Sequence, residues 1–204
     1  MSEVKIMVAV PHAGHVEPMV YERLFMQEDE YGKRLDNSAL DLVHFAEGYG
    51  IDEKRNDIAR KFLDMGKYSH VLMLDSDVVM PLDAISKMLH EGRDVVSGYY
   101  ARKTFKSTSC VVPLTTTNYE NKMTLSEISE RSEPFAVRAI GLGCALISRD
   151  VFERIDAPWF KYDIRDDGSL LSEDYWFCRK CIEHGVSVYV HPRIRCGHVK
   201  KEVL

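Results

Sequence analysis

The chain has no apolar run approaching the ~20 residues that a membrane-spanning helix needs, and no internal repeat, low-complexity tract or linker. A bundle of spans, a solenoid and a string of tethered modules are therefore not expected. Cationic excess is missing as well. Against 27 Lys and Arg stand 32 Asp and Glu, a formal charge of -5, so a broad nucleic-acid-binding face is excluded while a local phosphate pocket is allowed. Cysteine is sparse and odd in number, at 5, which fits reduced thiols better than a disulfide framework. Cys178, Cys181, Cys196 and His198 have the outline of a zinc site. The first two, however, fall in segment 173–184, whose Tyr175, Cys178 and Ile182 mark one apolar helical face, whereas zinc knuckles sit on tight turns. The amino terminus carries Glu3 and Lys5 and a short apolar stretch ending at Pro11, so it reads as a first core strand and not as a leader. With 45% hydrophobic residues over 204 positions, the expectation is one folded cytoplasmic domain spanning 1–204.

Along the chain, strands and helices alternate. Residues 5–10 are apolar and β-branched and run into the small-residue loop His12-Ala13-Gly14-His15. Segment 17–27 has Met19, Leu24 and Phe25 near helical spacing, 27–37 reads as a charged surface excursion, and 40–45 as a second strand ending at Glu47-Gly48. Asp52 can cap a helix in which Arg55, Ile58, Phe62 and Met65 recur before Gly66 ends it. The run 70–74 is a third, buried strand. Pro81 suits the first turn of a helix with Leu82, Ile85 and Leu89, stopped by Gly92, and 94–98 is another strand. Repeated strand-then-helix units predict an α/β fold with a mainly parallel central sheet flanked by helices. Segment 99–133 has little periodicity and reads as a long loop region, of the length that usually serves binding. Order returns with strands at 135–140 and 144–148, separated by Gly141-Leu142-Gly143, then the helix 173–184, a strand at 186–190 and the tail 194–204.

Chemistry gathers at Asp75-Ser76-Asp77, placed just after the third strand. Open α/β sheets keep ligands at the carboxyl ends of their strands. Two close carboxylates repel unless a cation or proton lies between them, and Mg²⁺ or Mn²⁺ takes carboxylate oxygens together with substrate phosphates. The competing reading is a strand-ending turn, since Asp and Ser are common turn formers.

Four elements in order carry a resemblance. They are the first strand entering the Pro11-His12 loop, the helix start Arg55-Asn56-Asp57, the D-x-D of Asp75 and Asp77, and the late block Leu171-Ser172-Glu173-Asp174 with Cys196-Gly197-His198-Val199 downstream. Together they resemble the nucleotide-diphospho-sugar glycosyltransferases of the GT-A fold, of the small family-2-like type found in bacteria, archaea and their viruses. The resemblance implies a nucleotide-binding half over 1–98 and an acceptor-binding half over 99–204. It implies a Mn²⁺ or Mg²⁺ ion on Asp77 and His198, with Asp75 reaching the metal through water or binding the ribose. Asp174 would be the general base that takes the acceptor's hydroxyl proton, and Glu173 would hold an acceptor hydroxyl, although Ser172-Glu173-Asp174 is equally an ordinary helix start. Adjacent helical residues point about a hundred degrees apart, so the two carboxylates cannot serve the same atom. Pro11, His12, Ala13 and Glu47 would line the base pocket, Arg55 would reach the base or phosphates, and Gly141 and Gly143 would admit the sugar. Lys200 and Lys201 would neutralise diphosphate oxygens or be merely solvated. Trp159, with Phe160 and Tyr162, would stack on an acceptor sugar or anchor its loop to the core.

The implied partners are a UDP- or GDP-sugar donor and a saccharide, protein or lipid-linked acceptor, in a host cytoplasm if the source is viral. Nucleic acid is not expected. A sugar nucleotidyltransferase is the nearest rival, but it needs a Gly-rich loop bearing Arg or Lys after the first strand, and His12-Ala13-Gly14-His15 lacks both. A non-catalytic binding module of the same fold is the other.

Overall fold

The computed structural model of the chain describes residues 4–29, 31–35, 40–45 and 50–200. Strand β1 (Ile6–Pro11) is buried throughout and leads to α1 (Pro18–Phe25), which has proline in its first turn. That helix buries Val20 and Leu24 and leaves Met19 and Phe25 in solvent, so its inner stripe is rotated from the one the sequence suggested. After β2 (Leu40–Phe45), α2 (Ile51–Met65) starts at Gly50, and Asp52 sits in the first turn, where its charge favours the helix dipole, instead of capping. The helix ends at Gly66, whose φ of 65° is the left-handed conformation that glycine adopts without strain. Strand β3 (His70–Leu74), β4 (Val78–Val79), α3 (Ala84–His90) and β5 (Val95–Tyr99) complete the first half.

The stretch read as a long loop contains β6 (Val112–Pro113) and α4 (Leu125–Ser129). A reciprocal capping box nucleates α4: Glu127 N–H donates to the Thr124 hydroxyl oxygen while the Glu127 carboxylate accepts from Thr124 N–H. Next come β7 (Phe135–Ala139), β8 (Cys144–Ser148), α5 (Arg149–Arg154), the hairpin β9 (Asp163–Ile164) and β10 (Leu170–Leu171), α6 (Glu173–Glu183), β11 (Val188–Arg195) and β12 (Gly197–His198). Cys178 and Cys181 are buried free thiols on α6, and no zinc cluster forms among the described residues.

The central sheet has the order β2-β1-β3-β8-β5-β11-β7-β6. β1 is parallel to β2 and β3, and β11 to β5, while β8 runs antiparallel between β3 and β5 and β7 antiparallel to both β11 and β6. All strands but β8 and β7 therefore point the same way, giving the mainly parallel α/β sheet that the alternation of elements implied. The insertion of β8 fixes the site. Leu74 pairs with Cys144, so the carboxyl end of β3 meets the glycine loop that enters β8, and Asp75 N–H donates to Gly143 O at 3.0 Å.

Side chains alternate across the sheet as the strand period requires. Met7, Ala9, Val71 and Met73 pack with Ile58 and Phe62 of α2 on one face, and Ile6, Val8, Leu72 and Leu74 pack with Val20, Leu24, Ile85 and Met88 of α1 and α3 on the other. No helix among the described residues is long and apolar enough to cross a membrane.

Asn56 ties α2 to the loop ahead of β9. Its amide nitrogen donates to Phe160 O (2.7 Å) and Asp52 O (2.9 Å), and its oxygen accepts from Trp159 N–H (3.0 Å) and Phe160 N–H (3.2 Å). Asn56→Ala strands three buried backbone groups of that loop, and thermal unfolding should show a loss of about 2–4 kcal/mol.

Candidate functional site

The site is built around Arg55. Its position in the second turn of α2 turns the guanidinium toward the sheet's carboxyl edge, 3% exposed. Nη2 donates to Asp75 Oδ1 at 3.0 Å and Nε to Glu173 Oε1 at 3.2 Å. Burial works against the charge, but Asp75 and Glu173 outweigh it and raise the pKa above arginine's ordinary value. A guanidinium suits this place because its fork holds two carboxylates in fixed directions. Arg55 was expected to reach a base or phosphates; two of its nitrogens are instead committed to protein carboxylates, while Nη1 is buried without a hydrogen-bond partner.

Asp75 is held from a second side by backbone. Its neighbour Gly143 has no side chain for a physical reason: a Cβ there would stand 2.6 Å from Tyr100 Oη and 2.8 Å from Asp75 Oδ2. The Tyr100 hydroxyl accepts Gly143 N–H at 3.0 Å. Burial first, then the nearby Asp75 charge, keeps this phenol protonated far above the ordinary tyrosine range. Gly143 thus serves a close approach of protein groups around Asp75.

Asp77 belongs to a different cluster. β12 pairs with β4 so that His198 stands opposite Val78, and Val199 N–H donates to Asp77 O at 2.8 Å. This short ribbon brings His198 Nε2 to 3.5 Å from Asp77 Oδ1, while Nδ1–H donates to Ala101 O at 2.8 Å. Lys103 Nζ donates to Asp77 Oδ2. Burial would raise the Asp77 pKa, but the hydrogen bonds from His198 and Lys103 overcome it and hold it down at about 2. For His198, burial disfavours the imidazolium, and Asp77 with the Ala101 carbonyl outweighs it, so its pKa stands above the ordinary value.

Of the three residues expected to hold a metal, Asp77 and His198 stand side by side. Two donors on adjacent vertices of an octahedral ion, each about 2.1 Å from it, lie roughly 3 Å apart, close to the Asp77–His198 separation. With Nδ1–H given to the Ala101 carbonyl, Nε2 would offer a lone pair only from the neutral imidazole, not from the protonated ring that donates to Asp77. Asp75 does not join them, because Oδ1 is bound to Arg55, and among the described residues no group of three His, Cys, Asp or Glu gathers to hold an ion.

At the start of α6 the two carboxylates separate as helical geometry demands. Glu173, 5% exposed, faces Arg55. Asp174 turns elsewhere and stays partly exposed; its Oδ1 accepts from Tyr175 N–H at 2.8 Å and from the Ser172 hydroxyl. Burial, followed by the Glu173 charge, raises the Asp174 pKa to about 7, against the Ser172 hydroxyl, Arg55 and Tyr175 N–H. Glu173, expected to hold an acceptor hydroxyl, is occupied by Arg55 instead.

The parallel register of β1 with β3, Ala9 opposite Met73, brings the end of β1 to the same edge as Asp75. Pro11 closes β1, and His12 follows it with Nδ1 accepting Gly14 N–H at 3.1 Å and its carbonyl accepting Lys54 Nζ at 2.8 Å, so this loop is pinned to α2. Glu47 lies outside the described residues. Trp159 is 7% exposed, packs edge-on against Phe152, and gives its indole N–H to the carbonyls of Ile155 (2.9 Å) and Phe152 (3.2 Å); it anchors the loop to the core and offers no face to a sugar. Sequence reading missed Tyr100 and Lys103. The apolar run into Tyr99-Tyr100 was a usable signal for the first, whereas nothing local marks Lys103.

Two measurements test this geometry. Arg55→Ala leaves Asp75 and Glu173 facing each other without a cation and should destabilise the chain by about 3–5 kcal/mol in denaturant titration. An unfolded aspartate ionises near 3.9, whereas folded Asp174 keeps its proton to about 7, so its protonation contributes stability that is lost as pH rises from about 4 through 7. Asp174→Asn keeps an oxygen acceptor for Ser172 and Tyr175 and should raise Tm at pH 8 while changing it little at pH 5.

No protein-family model matches the sequence, and no curated protein matches it at a significant level. Among solved structures, the chain is similar to A197 from STIV, with 22% identity and a TM-score of 0.68 over 97% of this chain and 87% of that one. It is also similar to GalNAc-T7, crystallised with UDP, GalNAc and Mn2+, with 12% identity and a TM-score of 0.56 over 97% of this chain. The matched region covers 44% of the GalNAc-T7 chain. At these identities the likeness is one of fold, and that fold is the GT-A type of mixed α/β sheet flanked by helices.

Proposed function

We propose that the chain is a metal-dependent glycosyltransferase that moves a sugar from a UDP- or GDP-sugar to a hydroxyl of a saccharide, protein or lipid-linked acceptor, with inversion at the anomeric carbon. The observation that carries this reading is the pairing, through one guanidinium, of Asp75 beside the Asp77–His198 pair with the helix start that presents Asp174. Donor-end and acceptor-end groups thereby share one sheet edge, where α/β folds bind nucleotides.

Asp174 has the properties of a general base. Its hydrogen bonds from protein groups go to Oδ1, which leaves Oδ2 for the incoming proton, and a pKa of about 7 lets it accept a hydroxyl proton in the transition state and release it afterwards. The acceptor oxygen forms its bond to the anomeric carbon as the bond to the diphosphate oxygen breaks, the leaving nucleoside diphosphate keeps the electron pair, and Asp174 takes the proton. Asp77 and His198 would hold Mn²⁺ or Mg²⁺, which supplies Lewis-acid neutralisation of the departing charge. Lys103 adds a cation at the same place, and Arg55 fixes Asp75 for the donor's ribose.

Thermal-shift assays with UDP, GDP, CDP and dTDP, each with and without Mn²⁺, should give a metal-dependent stabilisation by one nucleotide. Asp77→Ala should lose that stabilisation and donor-dependent transfer while keeping a native circular-dichroism spectrum; full transfer by this variant under chelation sinks the proposal. With an acceptor in hand, kcat/KM should rise with pH and level off above about 7, and Asp174→Asn should lower it by roughly 10²- to 10⁴-fold. A flat profile, or an active Asn variant, removes Asp174 as the base.

A further inference from the structure

Beside the Asp77–His198 pair opens a pocket of about 600 Å³ lined by Arg102, Lys103, Lys106, Arg195 and Lys200, with Ala101, Leu125, Cys196, Gly197 and His198 completing the wall. No Asp or Glu is among these lining residues, although acidic residues outnumber basic ones in the chain. The cations converge from two distant stretches, the segment after β5 and the strand ends at β11 and β12, so they are not a single solvated charge run. Elsewhere basic side chains are neutralised locally, as in Lys67–Asp41, Lys87–Asp83, Arg154–Asp94 and Arg179–Asp163. Here Lys103 is paired with Asp77, whereas Arg102, Lys106 and Arg195 make no ion pair among the described residues. Like charges crowded into a concave site raise its potential, and an anion relieves that repulsion.

We propose that this pocket binds a phosphate group carried by the acceptor. The inference takes the donor's identity from the reading above, and the pocket shares Lys103 and His198 with the donor's end of the site. A nucleoside diphosphate ester brings about two negative charges and Asp77 a third, which one divalent ion on Asp77 and His198 together with the Lys103 ammonium would balance, so Arg102, Lys106 and Arg195 exceed what the donor needs. An acceptor with a phosphate beside its hydroxyl would be steered in by this field and held with that hydroxyl at the sheet edge.

Calorimetric titration of the full chain with glycerol 3-phosphate tests this, alone and with saturating UDP and Mn²⁺. Binding should persist with the nucleotide present and weaken about tenfold in the Arg102→Ala/Lys106→Ala double variant and again on raising salt. The variant should melt at the wild-type temperature and keep its nucleotide response; Lys106→Glu alone provides a second reading should the double variant be unstable. Pelleting with phosphatidylcholine vesicles, with or without phosphatidic acid, separates the sources. Retention only on the acidic vesicles places the phosphate on a lipid, and binding of glycerol 3-phosphate without retention places it on a soluble acceptor; both support the site. Absence of binding, insensitivity to both variants, or displacement by UDP overturns it. Phosphate binding in a chain that answers to no nucleotide would remove the donor reading and leave the pocket.

Discussion

One buried cation, the guanidinium of Arg55, joins the third strand to the sixth helix. Asp75 and Glu173 come from opposite halves of the chain, and without the buried positive charge between them they would repel. The pair of ion contacts therefore sets the distance between the D-x-D turn and the start of α6, and through it the place of Asp174. Stability is not what such an arrangement favours, because the desolvation of three charged groups consumes much of their attraction. Its yield is direction: each carboxylate has one orientation left.

The same guanidinium contributes to a division of labour among four acidic groups. Asp75 and Glu173 are bound to arginine. Asp77 is held strongly acidic by His198 and Lys103, and Asp174 is pushed to about 7 by burial and by Glu173 beside it. Neighbouring carboxylates thus span the range from a permanently charged group to one that exchanges protons near neutrality, a separation set by their surroundings.

Local patterns in the sequence foretold the local structure well. The run 70–74, the helix after Gly50 and the Glu173-Asp174 helix start were legible because burial on one face leaves a period that survives in the residue order. The order of strands was not. β8 lies between β3 and β5 through pairings that no short window contains, and with it comes the contact of Gly143 with Asp75 and Tyr100. Arg55 illustrates the limit: its place at the site was readable from its position on α2, while its partners, one of them contributed by α6, were not. Trp159 was open in the sequence for another reason, since an aromatic that anchors a loop and one that stacks on a sugar look alike until the indole N–H is traced to the carbonyls of Ile155 and Phe152. The cap of α4 was legible in Thr124 and Glu127 and was obscured by the polar residues around it.

The ribbon of β4 and β12 has a temporal side. Asp77 and His198 are brought together by only two paired residues on each strand, and more than half of the chain lies between them. Closing so long a loop for so few contacts is unfavourable until the intervening sheet has formed. A partly folded chain would thus hold the D-x-D turn on its strand, yet lack the histidine opposite it. The closeness of Asp77 and His198 is therefore a property of the sheet between them and not of the ribbon itself.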